Sequence, residues 1–351
     1  METEGNKMKK VLFATTALIA TASVAAADVR LSGYGRFGLD YNDANDSNIN
    51  GVSDTTITSR LRLQFDMSAE TDMGVAFDAR FRAQAESRDN NPGGAVFNGA
   101  RFGVVWEGLR VNVGNIIGAV ENMPGTYLET RTAGIGIDGA GFFSHVGNVN
   151  NEFFNWDAYS SAGVGVNGVE ALYTYEGFVG HISYSDRNET IAANNNGGFD
   201  RAAIMLTYSW NDFGVAAAYQ NSGAMWEDKT LVSGWYDGGN WGARIAYADN
   251  DGISKWGLYG NIDIGAASNL VLFVTSEDSV DQADVNAGRG DNRVASTSAS
   301  CAAGTTCTDT EGETYGINWS YDLGGGASFE TGYRRASNDN DTFQAGVYFS
   351  F

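Results

Sequence analysis

The chain has 351 residues, with 22 Lys and Arg against 43 Asp and Glu, giving a net charge of −21. An acidic excess of this size excludes nucleic acid as a partner, because no basic surface is left to neutralise phosphates. Only two prolines occur, Pro92 and Pro124. That suits a chain built of paired strands, in which proline removes a ladder hydrogen bond.

Lys9 and Lys10 precede the uncharged, Ala-, Leu- and Val-rich run Val11–Ala20, which leads to Ala25-Ala26-Ala27. A basic n-region, a short apolar core and a small-residue site predict a secretory signal peptide over 1–27, cleaved before Asp28. Met8 reads as the natural start and residues 1–7 as an upstream extension. Past Ala27 no stretch approaches the ~20 apolar residues of a membrane helix.

From residue 28 onward the dominant pattern has period two. Residues 29–41 place Leu31, Phe37, Leu39 and Tyr41 on one face and Arg30, Arg36 and Asp40 on the other. Residues 56–68 separate Ile57, Leu61, Leu63, Phe65 and Met67 from Arg60, Arg62, Gln64 and Asp66, and 74–86 separate Val75, Phe77 and Phe81 from Asp78, Arg80, Arg82 and Glu86. Further segments of this kind fall at 101–107, 109–115, 168–176, 178–185, 201–210, 213–220, 231–237, 241–248, 253–262, 269–276, 314–322, 327–334 and 342–351. Successive strand side chains point to opposite faces, so each segment is apolar on one side and polar on the other. About ten residues suffice for a tilted strand to cross a bilayer.

These segments predict an all-β fold, a closed antiparallel transmembrane β-barrel of about 16 strands. The connectors alternate in length. Gly108, Gly177, Asn211-Asp212, 237–240 and Gly324–Gly326 mark short periplasmic turns, whereas 42–55, 87–99, 118–167, 186–200, 221–230, 277–313 and 335–341 are long external loops. Tyr41, Tyr184, Tyr219, Tyr247 and Tyr333 lie near the loop-side ends of the apolar faces. Trp106, Phe178, Trp210, Phe213, Trp241, Tyr321 and Phe349 lie near the turn-side ends. Two such belts are the arrangement stable at two water–lipid boundaries.

The charged face carries the functional clue. Arg36, Arg60, Arg62, Arg80 and Arg82 share one face of three neighbouring strands, and would line the inside wall. At ~5 Å two like charges repel by roughly 0.8 kcal/mol in water and roughly 3 kcal/mol at an effective dielectric of 20. The cluster therefore requires water, counter-ions or facing carboxylates. Loop 118–167, the third long connector, contains Glu121, Glu129, Asp138, Glu152 and Asp157 and many aromatics; folded inward, it would set its acids against the arginines and narrow the lumen. The competing reading is that the arginines pair locally, as Arg80 with Asp78, while the loop only covers the mouth.

Other features carry weaker readings. Asp43, Asp46, Asp249, Asp251, Asp339 and Asp341 cluster near the external rim, where hard oxygen ligands would suit a structural Ca²⁺; a solvated acidic face explains them equally. Cys301 and Cys307 read as a small-loop disulfide of an exported protein. Gly33-Tyr34-Gly35-Arg36-Phe37-Gly38 matches a dinucleotide fingerprint but opens no helix. Arg289-Gly290-Asp291 is a three-residue match to an adhesive motif. His145 and His181 are the only histidines; Ser144 is adjacent to His145, but adjacency does not create triad geometry, so no enzyme is expected.

The opening Val29-Arg30-Leu31-Ser32-Gly33-Tyr34-Gly35-Arg36-Phe37-Gly38, the paired arginines and the terminal Phe351 resemble the general-diffusion porins of Gram-negative bacteria. Ser59-Arg60-Leu61-Arg62 and Phe77-Asp78-Ala79-Arg80-Phe81-Arg82 are most similar to the Rhodobacter type. The resemblance implies an outer-membrane homotrimer among lipid and lipopolysaccharide, with a third loop in the lumen and an arginine cluster (Arg36, Arg60, Arg62, Arg80 and Arg82) facing acidic loop residues, of which Glu121, Glu129 and Asp138 are the best matches. It implies passive diffusion of small hydrophilic solutes and ions with no required cofactor, and the acidic rim would add weak cation selectivity. The loop departs from the enteric pattern, with Met123-Pro124-Gly125 in place of Pro-Glu-Phe-Gly. A surface-exposed structural or adhesive barrel, and a substrate-specific channel, are the alternatives.

Overall fold

The computed structural model describes residues 28–139, 161–186, 200–223, 228–250, 252–278, 312–337 and 339–351. Within them the chain forms one antiparallel sheet. Its strands are β1 Asp28–Asn42, β2 Thr55–Glu70, β3 Ala76–Arg88, β4 Asn91–Pro92, β5 Val96–Phe97, β6 Arg101–Trp106, β7 Leu109–Gly114, β8 Gly168–Tyr175 and β9 Phe178–Asp186. They continue as β10 Asp200–Trp210, β11 Phe213–Ser222, β12 Lys229–Asp237, β13 Trp241–Asn250, β14 Ile253–Ile264, β15 Ser268–Glu277, β16 Gly312–Gly324, β17 Ala327–Arg335 and β18 Asp341–Ser350. The sheet closes because β1 pairs with both β2 and β18, the latter from Tyr34–Ser350 to Asn42–Thr342. Sixteen long strands make the barrel; β4 and β5 are two-residue segments on the edge of β3.

Burial along each strand is inverted relative to a soluble protein. On β10, Ile204, Leu206, Tyr208 and Trp210 are exposed, while Arg201, Ala203, Met205 and Thr207 between them are buried. The same holds for Leu31, Phe37 and Leu39 outside against Arg36 inside on β1. A continuous apolar exterior around a polar interior is stable only with hydrocarbon outside, where closure also leaves no strand edge unpaired. Among the described residues no helix is long and apolar enough to cross a membrane; the strands make the crossing.

At one end the strands join through tight turns. Glu107–Gly108 (φ 44° and 84°) and Glu176–Gly177 (φ 43° and 87°) hold both central residues at positive φ, the geometry that matches strand twist in a two-residue hairpin. Above these turns the predicted aromatic belt is continuous. Phe178, Tyr208, Trp210, Phe213, Tyr236 and Trp241 form an unbroken series across β9–β13, with ring centroids 4.2, 5.6, 5.9, 4.9 and 4.6 Å apart.

All sixteen predicted strands are present, with ends moved by up to two residues. The connector predicted as 87–99 is not free: β4, β5 and the bond from Asn98 N to Arg82 O keep it along β3, because β6 covers only residues 76–80 of that strand. Residues 1–27, Cys301, Cys307, Asp251, His145 and Arg289-Gly290-Asp291 lie outside the described residues.

Candidate pore constriction

After β7 the chain turns inward and follows the inner wall. Gly118 N donates to Glu170 Oε2 on β8 (2.8 Å) and Ala119 N to Ser183 Oγ on β9 (3.0 Å). Ser233 on β12 donates to Pro124 O (2.7 Å), and Glu129 pairs with Arg244 on β13. Gly136 N reaches Asn318 on β16 (2.7 Å) and Asp138 N reaches Gln344 on β18 (2.8 Å). At β1 and β2, Arg36 and Thr58 each bond Asp138 at 3.1 Å. Within the described residues the segment thus lies against the inner wall from β8 round to β2.

Packing holds it there. Val120 and Met123 sit on Ala203, Met205, Ala216, Ala218, Leu231 and Ala248, and Leu128 and Ile135 sit on Tyr259, Val271 and Phe273. The alanines on the inner faces of β10, β11 and β13 leave room for the loop, and burying each Val, Leu, Ile or Met contributes about 1.5–3 kcal/mol. At the start of the segment, Glu170 also bonds Asn112 (2.6 Å) and His181 (3.1 Å), and His181 contacts Asn122 (3.4 Å). The buried imidazole therefore serves as a loop anchor.

The arginine wall is a cross-strand ladder. Arg60 faces Glu86 (2.5 Å), Arg62 faces Gln84 (2.8 Å), Gln64 faces Arg82 (2.8 Å) and Asp66 faces Arg80 (2.5 Å), each directly opposite in the β2–β3 register. Arg36 is opposite Arg60 across β1–β2. That like-charge pairing is offset because Asp138 meets Arg36 and Glu86 meets Arg60.

The predicted basic residues therefore share one wall, but local pairing and loop pairing both occur. Asp138 meets Arg36 and also Arg88 (2.8 Å). Glu121 lies within electrostatic reach of Arg82. Glu129 stands apart, paired with Arg244 on β13 rather than with the wall on β1–β3. Arg80 pairs with Asp66 and not with Asp78, which binds Arg101 (3.5 Å) and Arg110 (2.8 Å). Glu86, Asp66, Gln64 and Gln84 were legible by folding 56–68 onto 74–86; Arg88 and Arg244 carry no such signal in sequence.

The rim acids are tied into loop hydrogen bonds. Asp43 accepts from Asp341 N (2.9 Å), Asp46 from Asn48 N (2.7 Å) and Asp249 from Gly252 N (3.1 Å). Arg335 answers Asp339 (2.7 Å) and Asp341 (2.8 Å). Among the described residues no group of three or more His, Cys, Asp or Glu could hold a metal ion.

Comparison with known proteins agrees with this architecture. The profile of the family described as Gram-negative porin matches residues 14–342. A porin of Fuscovulum blasticum is 32% identical over 253 residues, covering 69% of this chain and 82% of that one. Among solved structures, an engineered Rh. blastica porin superposes with a TM-score of 0.70 at 25% identity, covering 92% of this chain and 100% of the other. A triple mutant of Rhodopseudomonas blastica porin gives 0.70 at 24% identity with the same coverage.

Proposed function

Because this chain belongs to the Gram-negative porin family, and so forms a diffusion channel of the outer membrane rather than an enzyme, we propose how its opening is set. The observation that carries the reading is the segment 118–139 lying inside the barrel, pinned from Glu170 to Arg36. Its carboxylates stand on the loop and the arginine wall on β1–β3, so a transverse field crosses the path. Such a field orients hydrophilic, dipolar solutes and disfavours apolar ones, which cannot replace ordered water. Solutes and ions pass down their gradients, with a modest cation preference from the acidic exterior.

The same reading includes export by the 1–27 signal peptide, a Cys301–Cys307 disulfide, contact with lipopolysaccharide and assembly as a homotrimer. A depression of about 330 Å³ on the outer face, lined in part by Gly35, Ser59, Leu61, Ala85, Gly93 and Phe349, supports the trimer. Small residues there leave a hollow that a second copy can fill. A structural Ca²⁺ at the rim is the weaker proposal, since Arg335 already pairs with both Asp339 and Asp341; a melting temperature unmoved by Ca²⁺ or chelator overturns it.

The test is reversal potential across a KCl gradient in planar bilayers. Glu129→Gln lowers the cation preference and Arg62→Gln raises it. Folded barrels that carry no current contradict the channel, and identical reversal potentials in both variants contradict the constriction.

A further inference from the structure

Two tyrosines face the lumen at the centre of the basic wall. Tyr34 on β1 and Tyr348 on β18 stack with centroids 5.2 Å apart and planes 23° from parallel. The pair is bracketed by guanidinium groups: Arg62 lies 5.1 Å from the Tyr34 centroid and Arg131, on the inward loop, 5.7 Å from that of Tyr348. The register makes this a built feature, since Tyr34 is directly opposite Arg62 and Tyr348 directly opposite Arg36.

The cations around this stack are not equivalent. Arg36 and Arg60 are each matched by a carboxylate, Asp138 and Glu86. Among the described residues, Arg62 makes no ion pair; its Nε donates to Gln84, its guanidinium lies over the Tyr34 ring, and Glu86 acts on it from a distance. Arg131, among the described residues, makes no hydrogen bond or ion pair; it contacts the Tyr348 ring and lies within electrostatic reach of Glu330. Gln84 takes the Nε of Arg62, and among the described residues nothing hydrogen-bonds its terminal N–H groups or those of Arg131, so both guanidiniums retain donors. Each ring has one face on the other ring and its second face toward a guanidinium, so a flat apolar group meets the two ring edges, in edge-to-face geometry.

The geometry points to a solute subsite in the constriction for planar carboxylates: the Arg62 and Arg131 edges take the anionic group, and Tyr34 and Tyr348 take the ring or conjugated plane. It rests on the channel reading, and adds a preference that a transverse field alone does not produce. A field acts on charge and dipole equally for a flat and a puckered acid of the same size. A tyrosine stack separates them.

The test titrates the single-channel KCl current with benzoate and, separately, with cyclohexanecarboxylate, its saturated counterpart of equal charge. Benzoate half-blocks the current at a concentration about two- to fivefold lower, the scale of one exposed aromatic contact. Tyr348→Leu brings the two acids together. Arg131→Gln raises the half-blocking concentration of both, and migration as folded barrels on unboiled gels verifies each variant. Equal block by the two acids in the unmodified channel, or block by neither, overturns the subsite. Failure of the channel itself is distinct, because it abolishes the KCl current before any acid is added.

Discussion

Asp138 accepts a 3.1 Å ion pair from Arg36, 102 residues away in the chain, and this contact ties the inward loop to the first strand of the barrel. Both side chains are largely hidden from water, at 5% and 11% exposure. Removing one partner of a buried pair leaves the other charge uncompensated, which costs about 3–5 kcal/mol. Asp138→Asn keeps the shape and deletes the charge. It lowers the thermal midpoint and makes the single-channel current noisier; a quiet trace with unchanged midpoint would show that the loop is held elsewhere.

On the opposite side, Glu129 and Arg244 form a more exposed pair. A double-mutant cycle of Glu129→Gln and Arg244→Gln in urea unfolding gives a coupling of about 0.2–1 kcal/mol, the range of such pairs. A coupling as large as that expected at Asp138 would mean that the two anchors contribute equally.

The seat of the loop is apolar and small. Ala218, packed with Val120 and Met123 on the inner face of β11, leaves the space they occupy. Ala218→Leu overfills it at a cost of about 1–3 kcal/mol. The barrel folds, the loop moves toward the axis, and conductance falls. Unaltered conductance would place the loop's hold on its ion pairs alone.

The outer depression gives the assembly prediction. Ala85→Trp fills the hollow beside Gly35 and Ser59, and yields folded monomers by light scattering in detergent. Persistent trimers would place the contact on another face.

Much of this architecture was legible because a membrane barrel writes its two faces into the chain separately. Leu31, Phe37 and Leu39 face outward and Arg36 faces the barrel interior, so alternation alone locates β1 and assigns its sides. The arginine ladder was legible for a related reason: a short turn fixes the register between β2 and β3, and register fixes who faces whom. The loop's path was not. Glu129 meeting Arg244, and Asp138 meeting Arg88, depend on how an irregular segment crosses a cavity, which no periodicity encodes. The alanines at 203, 216, 218 and 248 did mark the seat, but small residues on a strand announce space without saying what fills it. Tyr34 and Tyr348 lie on separate strands that meet only when the barrel closes.

The central claim is that residues 118–139 lie within the conducting path. It is tested most directly by placing Arg131→Cys in a background with Cys301 and Cys307 changed to serine, then adding a negatively charged, membrane-impermeant thiol reagent to single channels in a planar bilayer. The account predicts a stepwise, persistent fall in conductance as each pore is modified. Complete labelling by mass spectrometry with conductance unchanged would put the loop outside the path and contradict it.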